Sequence, residues 1–182
     1  MSLKLRFAEI FLPGPIRKRK ISELAALTAR GFGLSVPRLE GLSIPGRLEA
    51  YARFTRGSVD AAVAAGADLA AIRTRLRGEA LAFGRELALV FGIRGRDEAA
   101  RLLRLAYRAI GIDIEAETDG RIRVPRCAFR EYYGPETCRT IAALDEGIMA
   151  GIMGEGRLVF SARMTEGHPD CRAVFHVREA RP

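Results

Sequence analysis

The chain has 182 residues, 48% of them hydrophobic and 29% charged, a composition that excludes intrinsic disorder, which needs a far less apolar chain. Its formal charge of +8 rests on 30 basic residues, of which only Lys4, Lys18 and Lys20 are lysine. The arginines are scattered through helical segments, often near Glu or Asp, and no aromatic residues alternate with them as a stacking surface would require, which argues against a nucleic-acid partner. No stretch approaches the ~20 apolar residues of a membrane span, and Glu9, Pro13 and Pro15 break the only apolar run near the N-terminus. A cytoplasmic chain with no membrane partner is therefore expected. Three widely spaced cysteines, Cys127, Cys138 and Cys171, do not describe a disulfide framework and suit a reducing compartment.

The length fits a single domain, 1–182, and its first part, 1–110, reads as helices. "PIRKRKISELAALTARG" opens on Pro15, carries apolar residues at helical spacing and stops at Gly31. In it "RKRK" (Arg17 to Lys20) reads as the exposed start of a helix. A second helix is predicted from Pro45 to about Ala65. A third runs from the cap Asp68 to Gly92, with Gly84 as a point where it can break. A fourth, "RDEAARLLRLAYRAIG", has acids in its first turn and Gly111 at its end.

After Gly111 the hydrophobic period changes to two, and 111–182 reads as a β-β-α-β-β unit. Ile112, Ile114 and Ala116 alternate with acids, and Ile122 and Val124 with arginines. A three-residue Thr118-Asp119-Gly120 loop pairs Ala116 with Ile122 and Glu115 with Arg123, keeping apolar and charged residues on separate faces. "GPETCRTIAALDEGIMAGIMG" is then a helix opened by Pro135, with Cys138, Ile141, Ala142, Asp145, Ile148 and Met149 along one stripe. Its "GIMAGIMG" end reads as a small-residue helix-packing face. "RLVFSARMT" and "CRAVFHV" complete the sheet; a four-residue loop, Glu166 to Pro169, would set Cys171 opposite Met164. The expected fold is α+β: an N-terminal helical layer followed by an antiparallel sheet.

Both histidines lie in "EGHPDCRAVFH". Strand alternation turns His176 away from Cys171, and His168-x-x-Cys171 alone is a weak metal signal, so neither metal nor cofactor is expected. Asp145, a carboxylate on an otherwise apolar stripe, needs a partner because burying it unpaired is costly. Cys138, near a helix N-terminus, is a conceivable nucleophile with a lowered pKa.

"RCAF", a "TC" about ten residues on, "LDEGIMAGIM" and the final "GHPDCRAVFHV" together resemble the C-terminal region of the L-2-amino-thiazoline-4-carboxylic acid hydrolase-like family, over roughly residues 103 to 178. The resemblance implies hydrolytic opening of a small cyclic amidine, or of a related C–N or C–S bond. It implies catalytic roles for Cys127, Cys138, Asp145 and His168, and substrate binding by Arg126, Arg130, Tyr133 and Cys171, the two arginines taking a carboxylate. Gly167-x-x-x-Cys171 is also similar to the ending of vinyl-4-reductase-type domains of bacterial sensors. That similarity implies the alternative function, non-catalytic small-molecule binding, although Phe160 and Arg163 stand where some such sensors have metal ligands. On either resemblance the partner is a small molecule, and assembly into a homo-oligomer is left open. Cys127, Cys138 and Asp145 are expected in one pocket, with His168 at its rim.

Overall fold

The computed structural model describes residues 3–178, which form six helices, four strands and one short 3-10 turn. Helix α1 (Leu3–Ile10) precedes α2 (Gly14–Phe32), which has a proline in its first turn and ends at the left-handed Gly33. In α3 (Ile44–Ala64) the Ser43 hydroxyl accepts from the Gly46 N–H, and in α4 (Leu69–Phe91) the Asp68 carboxylate accepts from Ala70 and Ala71. These caps satisfy backbone donors that a helix cannot satisfy itself. Helix α4 runs unbroken through Gly84. Helix α5 (Arg96–Ala109) leads into strand β1 (Ile112–Ala116), which is followed by β2 (Arg121–Cys127), α6 (Pro135–Met153), β3 (Gly156–Ala162) and β4 (Cys171–Val177).

The sheet is antiparallel, in the order β1-β2-β4-β3. The first hairpin has the expected register, with Ala116 opposite Ile122 and Glu115 opposite Arg123. Gly120, at φ 91°, makes the turn, and any side chain there would collide with the Phe175 carbonyl. A bulge between Asp113 and Glu115 then shifts the pairing, so that Asp113 faces Arg126 and Ile112 faces Cys127.

The second hairpin differs from expectation. Phe160 lies opposite Ala173 and Leu158 opposite Phe175, two residues away from the predicted pairing, so the apolar faces are kept while the loop grows to residues 163–170. The cause is local. Met164–Glu166 coils into a 3-10 turn ended by the left-handed Gly167, and the buried carboxylate of Asp170 holds the far end through Arg123 (2.7 Å) and Arg172 (2.9 Å). Cys171 still meets Met164, through the Met164 N–H to the Cys171 sulfur at 3.4 Å.

Ile112, Ile114, Ala116, Ile122, Leu158, Ala173 and Phe175 are buried on the inner face of the sheet, while Arg121, Arg123, Arg172 and His176 are exposed on the outer one. Helix α6 packs between this inner face and α4, and one core continues from Leu5 in α1 to Phe175 in β4. The α4–α6 seam is a backbone contact. A Cβ at Gly84 would strike the Ile148 carbonyl, one at Gly147 the Arg77 carbonyl, and one at Gly151 would lie 2.6 Å from the Arg85 nitrogen. The "GIMAGIMG" segment is thus the helix-packing face expected. Among the described residues no helix is long and apolar enough to cross a membrane.

Candidate ligand-binding cavity

The face of α6 that turns away from the glycine seam carries Cys138, Ile141, Ala142, Asp145 and Ile148 at successive helical turns, and all five line one cavity of about 160 Å³. Opposite them stand Leu102, Leu105, Ala106 and Tyr107 of α5, with Leu24 of α2 and Phe83, Leu87 and Phe91 of α4. Cys127, Phe129 and Tyr133 close the end nearest the sheet. At the α2 end the wall is Leu12, Ile16, Arg17 and Lys20, and because Ile16 is exposed, the cavity reaches the surface there. Its two cations are tethered: the Arg17 Nε donates to the Ala109 carbonyl at 3.1 Å, and the Lys20 Nζ to Glu23 at 2.6 Å.

Asp145 is the carboxylate of this cavity. Its Oδ1 accepts a hydrogen bond from the buried Tyr107 hydroxyl at 2.7 Å. Burial raises its pKa to about 6, against the Tyr107 hydrogen bond and the positive charge of Arg163, both of which lower it. Desolvation therefore outweighs the two favourable interactions and holds the group above the usual carboxylate range. Burial pushes the Tyr107 phenol up as well, and the Asp145 charge adds to that shift, so the phenol stays a donor.

The thiols are not activated. Burial pushes Cys127 up to about 12, with Asp145 adding to the rise. Cys138 is raised too, by burial, although the Thr165 hydroxyl and the Arg163 charge oppose this. Cys138 sits in the first turns of α6, where the helix dipole was expected to lower its pKa, but loss of water outweighs the dipole.

Aromatic rings build the remaining wall. Phe129 stacks on Tyr133 at 5.4 Å and meets Tyr51 edge-on at 5.7 Å. The Tyr133 hydroxyl lies 2.6 Å from Thr55 Oγ1, and Tyr51 lies 3.1 Å from Thr28 Oγ1. With their hydroxyls occupied, these rings present apolar faces to the cavity.

Of the eight residues singled out in the sequence, the cavity gathers Cys127, Cys138, Asp145 and Tyr133. Cys171 stands just outside, its sulfur engaged by Met164. His168 is exposed in the loop before β4 and does not line the cavity, and Arg130 is exposed in the turn after β2. Arg126 is exposed on the outer face of the sheet, paired with Asp113 at 2.9 Å. It cannot hold a ligand beside Cys127, because adjacent strand residues point to opposite faces.

Tyr107 is not singled out in the sequence, and Arg17 and Lys20, read there as the exposed start of a helix, line the cavity instead. Tyr107 lies on the apolar stripe of α5 and could have been marked as a polar tip within it. The others come to the site only through tertiary packing. Among the described residues no three His, Cys, Asp or Glu side chains are grouped so as to hold a metal ion. The arrangement can enclose a small, largely apolar molecule, place a cationic nitrogen against Asp145, and move a proton there near neutral pH. No family model matches the chain, and no curated protein matches it significantly.

Proposed function

We propose that the cavity takes a small cyclic amidine or a related molecule and hydrolyses its C–N or C–S bond, with Asp145 as the proton-transferring group. One observation carries this reading: a carboxylate whose pKa burial raises to about 6, held by a tyrosine hydroxyl, lies in a largely apolar cavity. A protonated amidine is flat, partly apolar and cationic, so it complements both the aromatic wall and the carboxylate. The resemblance of the segment around Cys127, Cys138 and Cys171 to the aminothiazoline-acid hydrolase-like family points to the same reaction class, and a fold likeness alone would not.

The raised thiol pKa values favour water over cysteine as the nucleophile. Water adds through oxygen to the amidine carbon and passes a proton to Asp145. The ring C–S bond then breaks and Asp145 returns the proton to sulfur; the adduct's hydroxyl proton passes to Asp145 as the carbonyl forms and is released to solvent, and an N-carbamoyl amino thiol leaves. General acid–base catalysis of this kind contributes roughly 10²- to 10⁴-fold. Incubation with a 2-aminothiazoline acid, followed by mass spectrometry, should give the water adduct with the wild type, and with Asp145→Asn at a rate at least about 100-fold lower.

The second reading, ligand binding without turnover, draws support from the apolar lining and the unactivated thiols. Saturable binding without product would select it, and absence of binding would remove both.

A further inference from the structure

Large apolar side chains stand exposed on one face of α1, near the cavity entrance. Phe7 is 68% exposed, Ile10 87% and Phe11 58%, and their i, i+3, i+4 spacing sets them on one side of the helix. The bond from the Phe11 N–H to the Phe7 carbonyl carries that side one residue past Ile10. The opposite side serves the fold: Leu5 is buried, and Glu9 pairs with Arg101 of α5. Helix α1 is thus apolar toward the solvent, the reverse of an ordinary surface helix. The patch continues in two directions. Lys4 Nζ donates to the Val90 carbonyl at 3.4 Å, which sets the exposed Leu89 and Val90 of α4 beside α1. At the other end Leu12 and the exposed Ile16 lead to the cavity entrance.

Cations frame this patch. All three lysines of the chain, Lys4, Lys18 and Lys20, fall in its first twenty residues with Arg6, Arg17 and Arg19, and Glu9 is the only acid before Glu23. Glu9 turns inward to Arg101, and Glu23 pairs with Arg19 and Lys20. Lys4, Arg6, Arg17 and Lys18 therefore carry charge that no described carboxylate pairs with. Exposed rings and aliphatic chains framed by unpaired cations match the surface of a bilayer with anionic headgroups. The apolar groups enter the acyl boundary, while lysine and arginine extend along them to the phosphates. A second copy of the chain fits this face poorly, because a two-fold contact would bring like charges together and cover the cavity entrance. We propose that the outward face of α1, with the first turn of α2, docks on an anionic phospholipid surface and turns the cavity entrance toward the headgroups. No described helix is long and apolar enough to span the bilayer, so the contact is peripheral. The expectation of no membrane partner rests on the lack of a span and does not bear on such a contact. Docking does not depend on the amidine reading of the cavity.

The test is sedimentation of the full chain with vesicles of phosphatidylcholine alone, and of phosphatidylcholine and phosphatidylglycerol at a ratio of about 7:3. The wild type should partition at least about tenfold more strongly onto the anionic vesicles, and added salt should weaken this. Phe7→Ser with Phe11→Ser should lower the partition at least about tenfold, with the Tm unchanged because both rings are exposed. Arg6→Gln with Lys18→Gln should lower it by roughly fivefold per charge, on the anionic vesicles alone.

Equal partition onto both vesicles, or none onto either, would overturn docking on an anionic surface. A dimer in light scattering that the serine substitutions dissociate, without vesicle binding, would assign the face to a second copy and overturn it as well. A lower Tm in the serine variant would mean that the rings pack within the fold, and the patch would be lost with it.

Discussion

Helix α6 has two faces that solve opposite problems. Toward α4 it presents Gly147 and Gly151, with Gly84 opposite, and the two backbones meet with no room for a methyl group. Toward α5 and the end of β2 it presents Cys138, Ile141, Ala142, Asp145 and Ile148, and there the packing leaves a cavity. The first face is small, apolar and filled. The second carries the one acid of the stripe and is left open. A packed seam fixes where the helix lies, and this lets the opposite face keep a carboxylate whose burial works against folding.

The sharpest way to break this contrast is to fill the seam. Gly147→Ala forces a Cβ into the α4 backbone, which cannot yield as a flexible side chain would. It should cost about 3 kcal/mol, a fall in Tm of roughly 6 to 12 °C for a chain of this size. Thermal denaturation checks this, and an unchanged Tm would mean that the helices do not meet backbone to backbone.

The open face gives a smaller, pH-dependent effect. The folded pKa of Asp145, about 6, lies above its ordinary value of 3.8, so between these values the folded state holds more protons than the unfolded one. Stability is therefore greatest at the acid end of that window and falls as pH rises through it. The loss should be about 1 to 3 kcal/mol, allowing for partial solvation of the carboxylate in the cavity. Asp145→Asn keeps an acceptor for Tyr107 but does not titrate, so denaturant titrations of the two proteins across this range should diverge by that amount. Parallel curves would refute the raised pKa.

The thiols should be sluggish. With Cys127 near 12 and Cys138 also raised by burial, alkylation at about pH 8 should run at least tenfold slower than for free cysteine. Peptide mass spectrometry would report it, and fast labelling of Cys127 would return the thiol to candidacy as nucleophile. The smallest effect belongs to the surface arginines: Arg126→Ala and Arg130→Ala should each change stability by less than about 0.5 kcal/mol and leave ligand affinity unaltered. A binding defect in either variant would mean that the ligand extends beyond the cavity.

Much of this organisation is legible in the sequence because it is local. Asp68, Gly92 and Pro135 mark helix ends through backbone chemistry, and Gly120 sets the first hairpin because only a left-handed turn separates its apolar and charged faces. The second hairpin misleads because its register depends on the 3-10 turn at Met164–Glu166 and on Asp170 reaching two arginines, one of them on another strand.

The site divides in the same way. The stripe of α6 follows from periodicity, whereas plain alternation from Ile122 and Val124 would turn Arg126 inward and Cys127 outward, and the bulge that shifts the first hairpin's register reverses the two. Arg17 and Lys20 could not be assigned to the cavity from spacing, since only packing brings the start of α2 to it.

Asp145, with its raised pKa, is the centre of the proposed site. The most direct measurement is a carbon-13 NMR titration of its side-chain carboxyl, with and without a 2-aminothiazoline acid. A midpoint at about 6 in the free protein, moving to lower pH when the cationic ring is bound, is the predicted result. An ordinary midpoint near 3.8, unmoved by the ring, would contradict it.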